Sequence, residues 1–160
     1  MTLPKFLSLP VLLSASVLLL GACSNNVGDP HPDKLMTKRV VIFKKFTKAL
    51  EPMGLVARDR RDYVKAEFVE QAQALKDLST QPWVYFSADG NYAPSRAKPE
   101  IWLQPDVFKS SKERYLAAVD KLAQVAGSAD RPAINAAVDE VQKSCKNCHD
   151  QFRSETARSQ

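Results

Sequence analysis

The stretch RPAINAAVDEVQKSCKNCHDQFR, residues 131–153, predicts how the end of this chain folds. Apolar and sulfur-bearing side chains recur along it at spacings of three and four, which is typical of a helix with one buried face. The stripe comprises Ile134, Val138, Val141, Cys145, Cys148/His149 and Phe152. A strand would instead alternate its apolar positions with a period of two. We therefore predict a C-terminal amphipathic helix over about 131–153.

Three segments upstream show the same helical spacing of apolar residues. The predicted elements are helices over about 33–52, 62–79 and 105–126, with an irregular crossing loop over about 80–104. We expect Asp33 to cap the first helix. Pro52 should end or kink that helix, because proline has no backbone N–H to donate. Four amphipathic helices in one domain predict an all-α fold, an antiparallel four-helix bundle.

The composition limits the size of the domain and the kind of partner. The chain has 160 residues, of which 44% are hydrophobic and 26% charged, as in a soluble domain with a packed core. That length suits one domain better than two. The formal net charge of +5 is mild, so the chain lacks the strongly basic character of a nucleic-acid-binding protein.

The N-terminal segment has the composition of an export signal. Lys5 supplies a short basic start, and residues 6–20 form an uncharged apolar run. That run is shorter than the roughly 20 residues of a membrane-spanning helix. It leads into Leu20-Gly21-Ala22-Cys23, which resembles the bacterial lipobox. We interpret residues 1–22 as a lipoprotein signal peptide; the alternatives are a retained membrane anchor and a secreted protein with an unmodified Cys23.

Acylation of Cys23 would hold the protein to a membrane through several acyl chains. Ser24, in place of an aspartate, favours the outer membrane of a Gram-negative bacterium, with the protein facing the periplasm. Residues 23–32 are small, polar and turn-prone, so we predict a flexible tether before a single domain at 33–160. His31, between two prolines of this tether, is expected to be a solvated loop residue.

The C-terminal helix contains Cys145-Lys146-Asn147-Cys148-His149. Residues at positions i, i+3 and i+4 project from the same side of a helix, so Cys145, Cys148 and His149 should point together. Two thiols at this spacing can bond to the two vinyl groups of a haem while the imidazole reaches the iron. The motif predicts one covalently attached haem c, with His149 as the iron ligand.

Two alternatives explain the motif less well. A thioredoxin-like Cys-x-x-Cys pair belongs to a strand-to-helix setting, whereas this pair lies deep inside a predicted helix. A structural zinc site needs four ligands, but His31 and His149 are the only histidines in the chain. If Cys23 is acylated and the other two cysteines hold haem, none of the three cysteines is left over.

A haem motif at the C-terminal end of a four-helix bundle resembles the cytochrome c′ family, including its six-coordinate relatives. The similarity extends over about 33–153. It also rests on Leu75-Lys76-Asp77-Leu78 with Pro82-Trp83 and Phe86, on Lys98-Pro99-Glu100-Ile101-Trp102 with Phe108-Lys109, and on Ser144 to Asp150 with Phe152-Arg153. The resemblance implies a bundle with covalently bound haem. Members often form dimers through their first two helices, so a homodimer is one expectation.

In that family a residue of the first helix lies over the iron, on the side opposite the histidine. Counting back from Met53 and Trp83 places that position at Phe43. Phenylalanine cannot ligate iron, so the resemblance implies a five-coordinate haem. The alternative sixth ligand is Met36, which lies two turns before Phe43 and ~10 Å away along the helix. Core packing is the expected role of Met36.

The resemblance implies roles for three more residues around the haem. Arg39 matches an arginine that contacts a haem propionate, and Arg153 matches one that packs against the ligand histidine, where its charge would raise the reduction potential. Trp83 is expected to pack near the haem edge. The alternatives are a solvated helix charge for Arg39, an interaction with the helix dipole for Arg153 and core packing for Trp83.

Two functions agree with these features. A five-coordinate haem behind Phe43 would bind a small neutral gas such as nitric oxide or carbon monoxide in the periplasm, without turnover. A six-coordinate haem would instead pass single electrons between periplasmic redox proteins. A peroxidase is not expected, because peroxide cleavage needs a distal acid/base such as histidine and both histidines are otherwise assigned. The chain is therefore not predicted to be an enzyme.

Overall fold

A computed structural model describes residues 28–128 and 130–157. Its helices are α1 (Leu35–Ala57), α2 (Lys65–Ser79), α3 (Glu100–Leu103), α4 (Pro105–Val125) and α5 (Arg131–Phe152). Within the described residues, none of these helices is both long and apolar enough to cross a membrane. Residues 1–22 and Cys23, assigned above to the signal peptide and the lipid attachment, lie outside the described residues.

The four long helices form the predicted antiparallel bundle. Helix α1 packs against α2 and α5, α2 packs against α4, and α4 and α5 share the most extensive interface. The buried faces meet in one core, whose fully buried side chains include Met53, Phe68, Leu75, Leu122, Ile134 and Val138. Because every long helix contributes to this core, the all-α fold predicted from the spacing of apolar residues is confirmed.

The first helix is longer than predicted. Helix α1 continues through Pro52 to Ala57, so Pro52 does not end it. The turns beyond Pro52 carry Met53 and Val56, both of which are buried in the core. The free energy of burying these side chains offsets the backbone hydrogen bond that proline cannot make.

The start of α1 also differs from the prediction. Asp33 does not cap the helix, because Leu35 is its first residue and Lys34 precedes it in the left-handed conformation with a φ of 52°. The side chain of Lys34 makes no capping hydrogen bond either. The N–H groups of the first turn must therefore find acceptors elsewhere.

Those acceptors come from the N-terminal segment and the crossing loop. The backbone N–H of Thr37 donates to Asp29 Oδ2 at 2.7 Å, and that of Met36 donates to the hydroxyl of Tyr92 at 2.8 Å. The Tyr92 hydroxyl in turn donates to Asp29 Oδ1 at 2.8 Å. Side chains from outside the helix thus cap α1.

His31 takes part in the same contacts, so the expectation that it is a solvated loop residue is wrong. Its side chain is 14% exposed, and its Nε2 atom lies 3.3 Å from Asp89 Oδ2. Its ring stacks on Tyr92 with the two centroids 5.1 Å apart. We refer to Asp29, His31 and Tyr92 as the N-terminal clamp. Two of these residues fall within the predicted tether at 23–32, of which residues 23–27 lie outside the described part.

The crossing loop is less irregular than predicted. It contains two 3₁₀ turns, Trp83–Tyr85 and Ala88–Gly90, before it reaches α3. Ala97, shortly before α3, pairs with Arg153 in an isolated antiparallel bridge. The loop is thereby attached to the C-terminal end of α5, next to the Cys-x-x-Cys-His motif.

Candidate haem site

The motif residues lie in the last two turns of α5. The helix starts with a side-chain cap, in which Asp130 Oδ1 accepts the backbone N–H of Ala133 at 3.1 Å, and it runs unbroken to Phe152. Cys145 and Cys148 are half-buried free thiols, and His149 is exposed. Because the helix is continuous, the three side chains project from the same side of it.

Both thiols are neutral at ordinary pH. Burial, followed by the nearby Cys148 thiol, raises the pKa of the Cys145 thiol to about 11. Burial also raises the pKa of the Cys148 thiol to about 11, although the positive charge of Arg114 acts in the opposite direction. A protonated thiol is a poor nucleophile and a poor metal ligand, so this pair does not resemble an activated redox-active cysteine pair.

The surroundings of His149 favour its neutral form. Desolvation by the surrounding protein lowers the pKa of the imidazole below its ordinary value, and the positive charges of Arg153 and Arg96 lower it further, while Asp150 opposes them. A neutral imidazole keeps a nitrogen lone pair free to ligate a metal. The electrostatic surroundings therefore suit His149 to the role of an iron ligand.

His149 and Arg153 line one open cavity of about 520 Å³. Arg96 and Lys98 of the crossing loop line the same cavity, and Lys98 Nζ donates to the backbone carbonyl of Asp150 at 2.9 Å. The structure thus brings together His149 and Arg153, as the sequence suggested. It adds two cations from the loop that were not identified from the sequence.

Aromatic rings from α1 and the crossing loop form a wall, to which Phe43 is central. The centroid of the Phe43 ring lies 5.3 Å from that of Phe46, 6.1 Å from that of Trp83 and 6.4 Å from that of Phe86. The indole N–H of Trp83 donates to the carbonyl of Ser79 at 2.7 Å, which fixes the orientation of its ring. Phe43 and Trp83, which are far apart in sequence, are therefore neighbours.

The two methionines near Phe43 occupy different places on α1. Met36 lies in the first turn of the helix and Met53 is completely buried in the core. Because α1 is continuous between Met36 and Phe43, their Cα atoms are separated by ~10 Å along the helix axis. Reaching the position of Phe43 would require Met36 to shift along the helix by about two turns.

Arg39 is buried, with 3% of its surface exposed, so it is not a solvated helix charge. Its guanidinium donates to the carbonyl of Tyr85 at 2.8 Å, to the carbonyl of Gly90 at 3.3 Å and to Ser95 Oγ at 3.2 Å. It also lies 4.7 Å from the centroid of the Phe86 ring. Arg39 therefore holds the crossing loop against α1, and its contact with a haem propionate remains a prediction.

Gly90 allows the close approach of Arg39. A Cβ atom at this position would lie 2.9 Å from Arg39 Nη1 and 3.1 Å from the carbonyl oxygen of Tyr85. Contacts of that length require the guanidinium or the loop backbone to move. The absence of a side chain at Gly90 is thus part of how the loop is positioned beside the aromatic wall.

Tyr115 lies on the buried face of α4 and was not singled out in the sequence. It is 4% exposed, and its hydroxyl makes no hydrogen bond among the described residues. Burial, together with the nearby Cys145 thiol, raises the pKa of this hydroxyl above its ordinary value. A buried tyrosine normally finds a partner for its hydroxyl. This hydroxyl has none among the described residues, and it lies near the Cys145 thiol.

The residues fit a haem better than a bare metal ion. Within residues 28–128 and 130–157, no three His, Cys, Asp or Glu side chains lie close enough to hold a metal ion. Two thiols and one neutral imidazole instead share one side of α5, near an aromatic wall and several cations. An apolar ring that carries an iron atom and two carboxylates matches that combination.

Comparison with known proteins agrees with this assignment. A family profile described as Cytochrome C′ matches residues 34–153. The chain is 32% identical to a cytochrome c′ of Alcaligenes xylosoxydans xylosoxydans over 101 residues, which are 63% of this chain and 78% of that protein. It is 30% identical to a cytochrome c′ of Halomonas halodenitrificans over 110 residues, which are 65% of this chain and 83% of that protein.

Solved structures show the same fold. A nitric oxide complex of a variant cytochrome c prime from Alcaligenes xylosoxidans has a TM-score of 0.74 and 27% identity, with 79% of this chain and 98% of that chain covered. Cytochrome c′ from Rubrivivax gelatinosus has a TM-score of 0.73 and 26% identity, with 79% and 100% covered. The matched region contains all four long helices and the Cys-x-x-Cys-His motif. The chain belongs to the cytochrome c′ family.

Proposed function

We propose that this protein is a periplasmic gas-binding cytochrome, in which a five-coordinate haem binds nitric oxide or carbon monoxide without turnover. The observation that carries the proposal is the position of Phe43 within a wall of aromatic side chains. Such a wall offers no ligand to iron and excludes water and charged molecules. A small neutral diatomic molecule has the lowest free-energy cost of entering such an apolar site.

Membership of the cytochrome c′ family implies haem c. When bound, haem c supplies an iron atom with one side open to a diatomic ligand. Cys145 and Cys148 would hold the ring through thioether bonds, and the neutral imidazole of His149 would ligate the iron. Arg153 would keep a positive charge next to that imidazole. Relatives of similar structure include a nitric oxide complex and a carbon monoxide complex of cytochrome c prime variants, which supports gas binding by this chain.

Replacing Phe43 with alanine tests whether Phe43 covers the iron on the side opposite His149. If the Phe43 ring restricts access to the iron, carbon monoxide should bind to the reduced Phe43→Ala protein about tenfold faster or more, since tenfold corresponds to a barrier lower by ~1.4 kcal/mol. Stopped-flow or flash photolysis measures this rate. Val41→Ala, on the exposed side of α1, is the matched control and should leave the rate unchanged. An unchanged rate in Phe43→Ala would mean that another residue covers the iron.

Electron transfer is the second candidate function. The cavity beside His149 favours it: three cations, Arg96, Lys98 and Arg153, line the cavity against two carboxylates, Asp150 and Glu155. The excess of positive charge can attract an acidic redox partner. This function requires a sixth ligand such as Met36, or a haem that exchanges electrons while five-coordinate. A low-spin spectrum that does not respond to carbon monoxide would favour a six-coordinate electron carrier.

We also propose that the mature protein is an outer-membrane lipoprotein acylated at Cys23. The proposal rests on the lipobox-like stretch Leu20-Gly21-Ala22-Cys23. Intact-mass measurement of protein extracted from membranes tests it. The expected mass corresponds to a chain that starts at Cys23 and carries haem and acyl groups. A mass without acyl groups would contradict the lipid anchor and leave the haem assignment untouched.

A further inference from the structure

Lysine side chains gather on the exposed side of α1 and its N-terminal cap. They are Lys34, Lys38, Lys44, Lys45 and Lys48, all of them exposed. Glu51 is the only acidic residue in the helix and lies beyond the last of these lysines. The positions from Lys38 to Lys48 extend over ~15 Å of helix, at 1.5 Å per residue. We call these five residues the α1 lysine face.

The α1 lysine face has no carboxylate partner among the described residues. Lys34 Nζ donates to the backbone carbonyl of Asp29 at 2.7 Å, and Lys38 Nζ lies 5.5 Å from the centroid of the Tyr85 ring. Elsewhere on the bundle, surface cations pair with acids, as Lys76 does with Asp120 at 2.9 Å. The charge of the α1 lysine face is therefore not neutralised within the described part of the molecule.

Two apolar side chains are exposed on the same helix. Val40 and Val41 are 45% and 46% exposed, within a sequence otherwise dominated by lysine and threonine on that side. Binding to the interfacial region of a bilayer depends on buried apolar area together with attraction to anionic lipids. The exposed side of α1 combines electrostatic attraction with a small apolar contact.

The N-terminal clamp fixes where the chain leaves the bundle. Asp29 and His31 are bound to the crossing loop beside the first turn of α1. From there, the chain continues through six residues to Cys23, a distance of at most ~20 Å when fully extended. A lipid on Cys23 would therefore hold the N-terminal end of α1 close to the membrane.

We propose that the α1 lysine face binds anionic phospholipid headgroups. This proposal rests on the membrane location proposed above, and it concerns a surface that is separate from the haem site. A membrane is favoured over an acidic protein because the chain exits toward Cys23 at the end of this same helix. Phe43 lies two positions from Lys45, on the opposite side of α1, so lipid binding would leave the haem pocket facing away from the membrane.

The test uses the haem-loaded chain starting at residue 23 with Cys23→Ser, so that no acyl group contributes to binding. Sedimentation with vesicles of phosphatidylcholine alone is compared with vesicles that also contain phosphatidylglycerol. We expect binding only to the anionic vesicles, with an affinity that falls as salt is added. Each lysine near an anionic surface contributes about fivefold to the binding constant.

Two double variants distinguish a local effect of the α1 lysine face from an effect of the protein's net charge. Lys45→Gln with Lys48→Gln should weaken binding to the anionic vesicles by roughly 25-fold. Lys121→Gln with Lys143→Gln removes the same charge from exposed positions on α4 and α5 and should change binding much less. Carbon monoxide binding should be the same in both variants, which distinguishes this test from that of the proposed gas-binding function.

Three results would overturn the proposal. The first is binding of the Cys23→Ser protein to anionic vesicles no stronger than to neutral ones. The second is an equal loss in the two double variants, which would mean that net charge alone attracts the protein. The third is a dimer, detected by analytical ultracentrifugation, that the Lys45 and Lys48 substitutions alone disrupt while vesicle binding is absent; the face would then bind a second copy of the chain.

Discussion

The hydroxyl of Tyr115 is one of the buried polar groups that have no hydrogen-bond partner among the described residues. An unpaired hydroxyl in a protein interior destabilises the fold by about 1–3 kcal/mol. Tyr115→Phe removes this unpaired hydroxyl and keeps the ring. We expect the free energy of unfolding of the haem-loaded protein to rise by about 1 kcal/mol, measured by denaturant titration. A fall in stability would show that the hydroxyl has a hydrogen-bond partner in the folded protein.

Arg153 provides a second prediction about a single residue. Its charge lies beside the imidazole of His149, and a nearby cation disfavours the more positive, oxidised form of an iron ligated there. Arg153→Ala should therefore lower the reduction potential. For an exposed charge the effect is at most about 1 kcal/mol, or about 40 mV for one electron.

A redox titration measures the change in potential. Arg60→Ala, at the opposite end of the bundle, removes the same charge and serves as the control. A potential that shifts equally in both variants, or in neither, would show that Arg153 has no specific effect on the iron.

The motif Cys145, Cys148 and His149 was recognisable from sequence because helical spacing alone brings the three side chains together. The environment of Arg39, in contrast, could not be recognised from the sequence. Two of its acceptors are backbone carbonyls, those of Tyr85 and Gly90, and every residue has a carbonyl, so no side-chain pattern predicts these bonds. The third acceptor, Ser95 Oγ, lies 56 positions away in the sequence. Tyr115 was missed for a similar reason, since a tyrosine on a buried stripe looks the same whether or not its hydroxyl has a partner.

Helix α1 depends on side chains from outside the helix. Its first turn is capped by Asp29 and by the hydroxyl of Tyr92. Tyr92→Phe removes one hydrogen bond that the hydroxyl accepts and one that it donates. We expect the free energy of unfolding to fall by about 1–2 kcal/mol and the amide of Met36 to exchange its hydrogen faster.

Tyr85→Phe is the control for that variant. Tyr85 lies in the same loop, and its hydroxyl makes no side-chain hydrogen bond among those found in the described residues, so its loss should change stability little. Denaturant titration and hydrogen exchange of the two variants provide the comparison. If Tyr92→Phe matches Tyr85→Phe in both measurements, the clamp does not stabilise the start of α1.

The sequence predicted that the four long helices exist, but it predicted the ends of α1 less accurately. Asp33 was expected to cap α1 and does not. Pro52 was expected to end or kink α1, and it does not end the helix. At the start, Tyr92 lies 56 positions from Met36, so its contribution cannot be inferred from the first helix alone. At the end, the burial of Met53 and Val56 decides how far α1 continues.

The whole molecule is a bundle in which one loop connects both sides of the candidate haem site. The crossing loop supplies Trp83 and Phe86 to the aromatic wall, and its later part pairs with the end of α5 through Ala97 and Arg153. The spacing of apolar residues predicted the four helices and their class of packing. It did not predict the course of the loop, because contacts between a loop and distant helices leave no period in the sequence.

The absorption spectrum of the reduced, haem-loaded protein, recorded before and after addition of carbon monoxide, tests the central claim most directly. A five-coordinate iron facing Phe43 predicts a broad, high-spin spectrum that shifts when carbon monoxide binds. Sharp low-spin bands that do not respond to carbon monoxide would contradict the gas-binding account and would require a sixth ligand such as Met36.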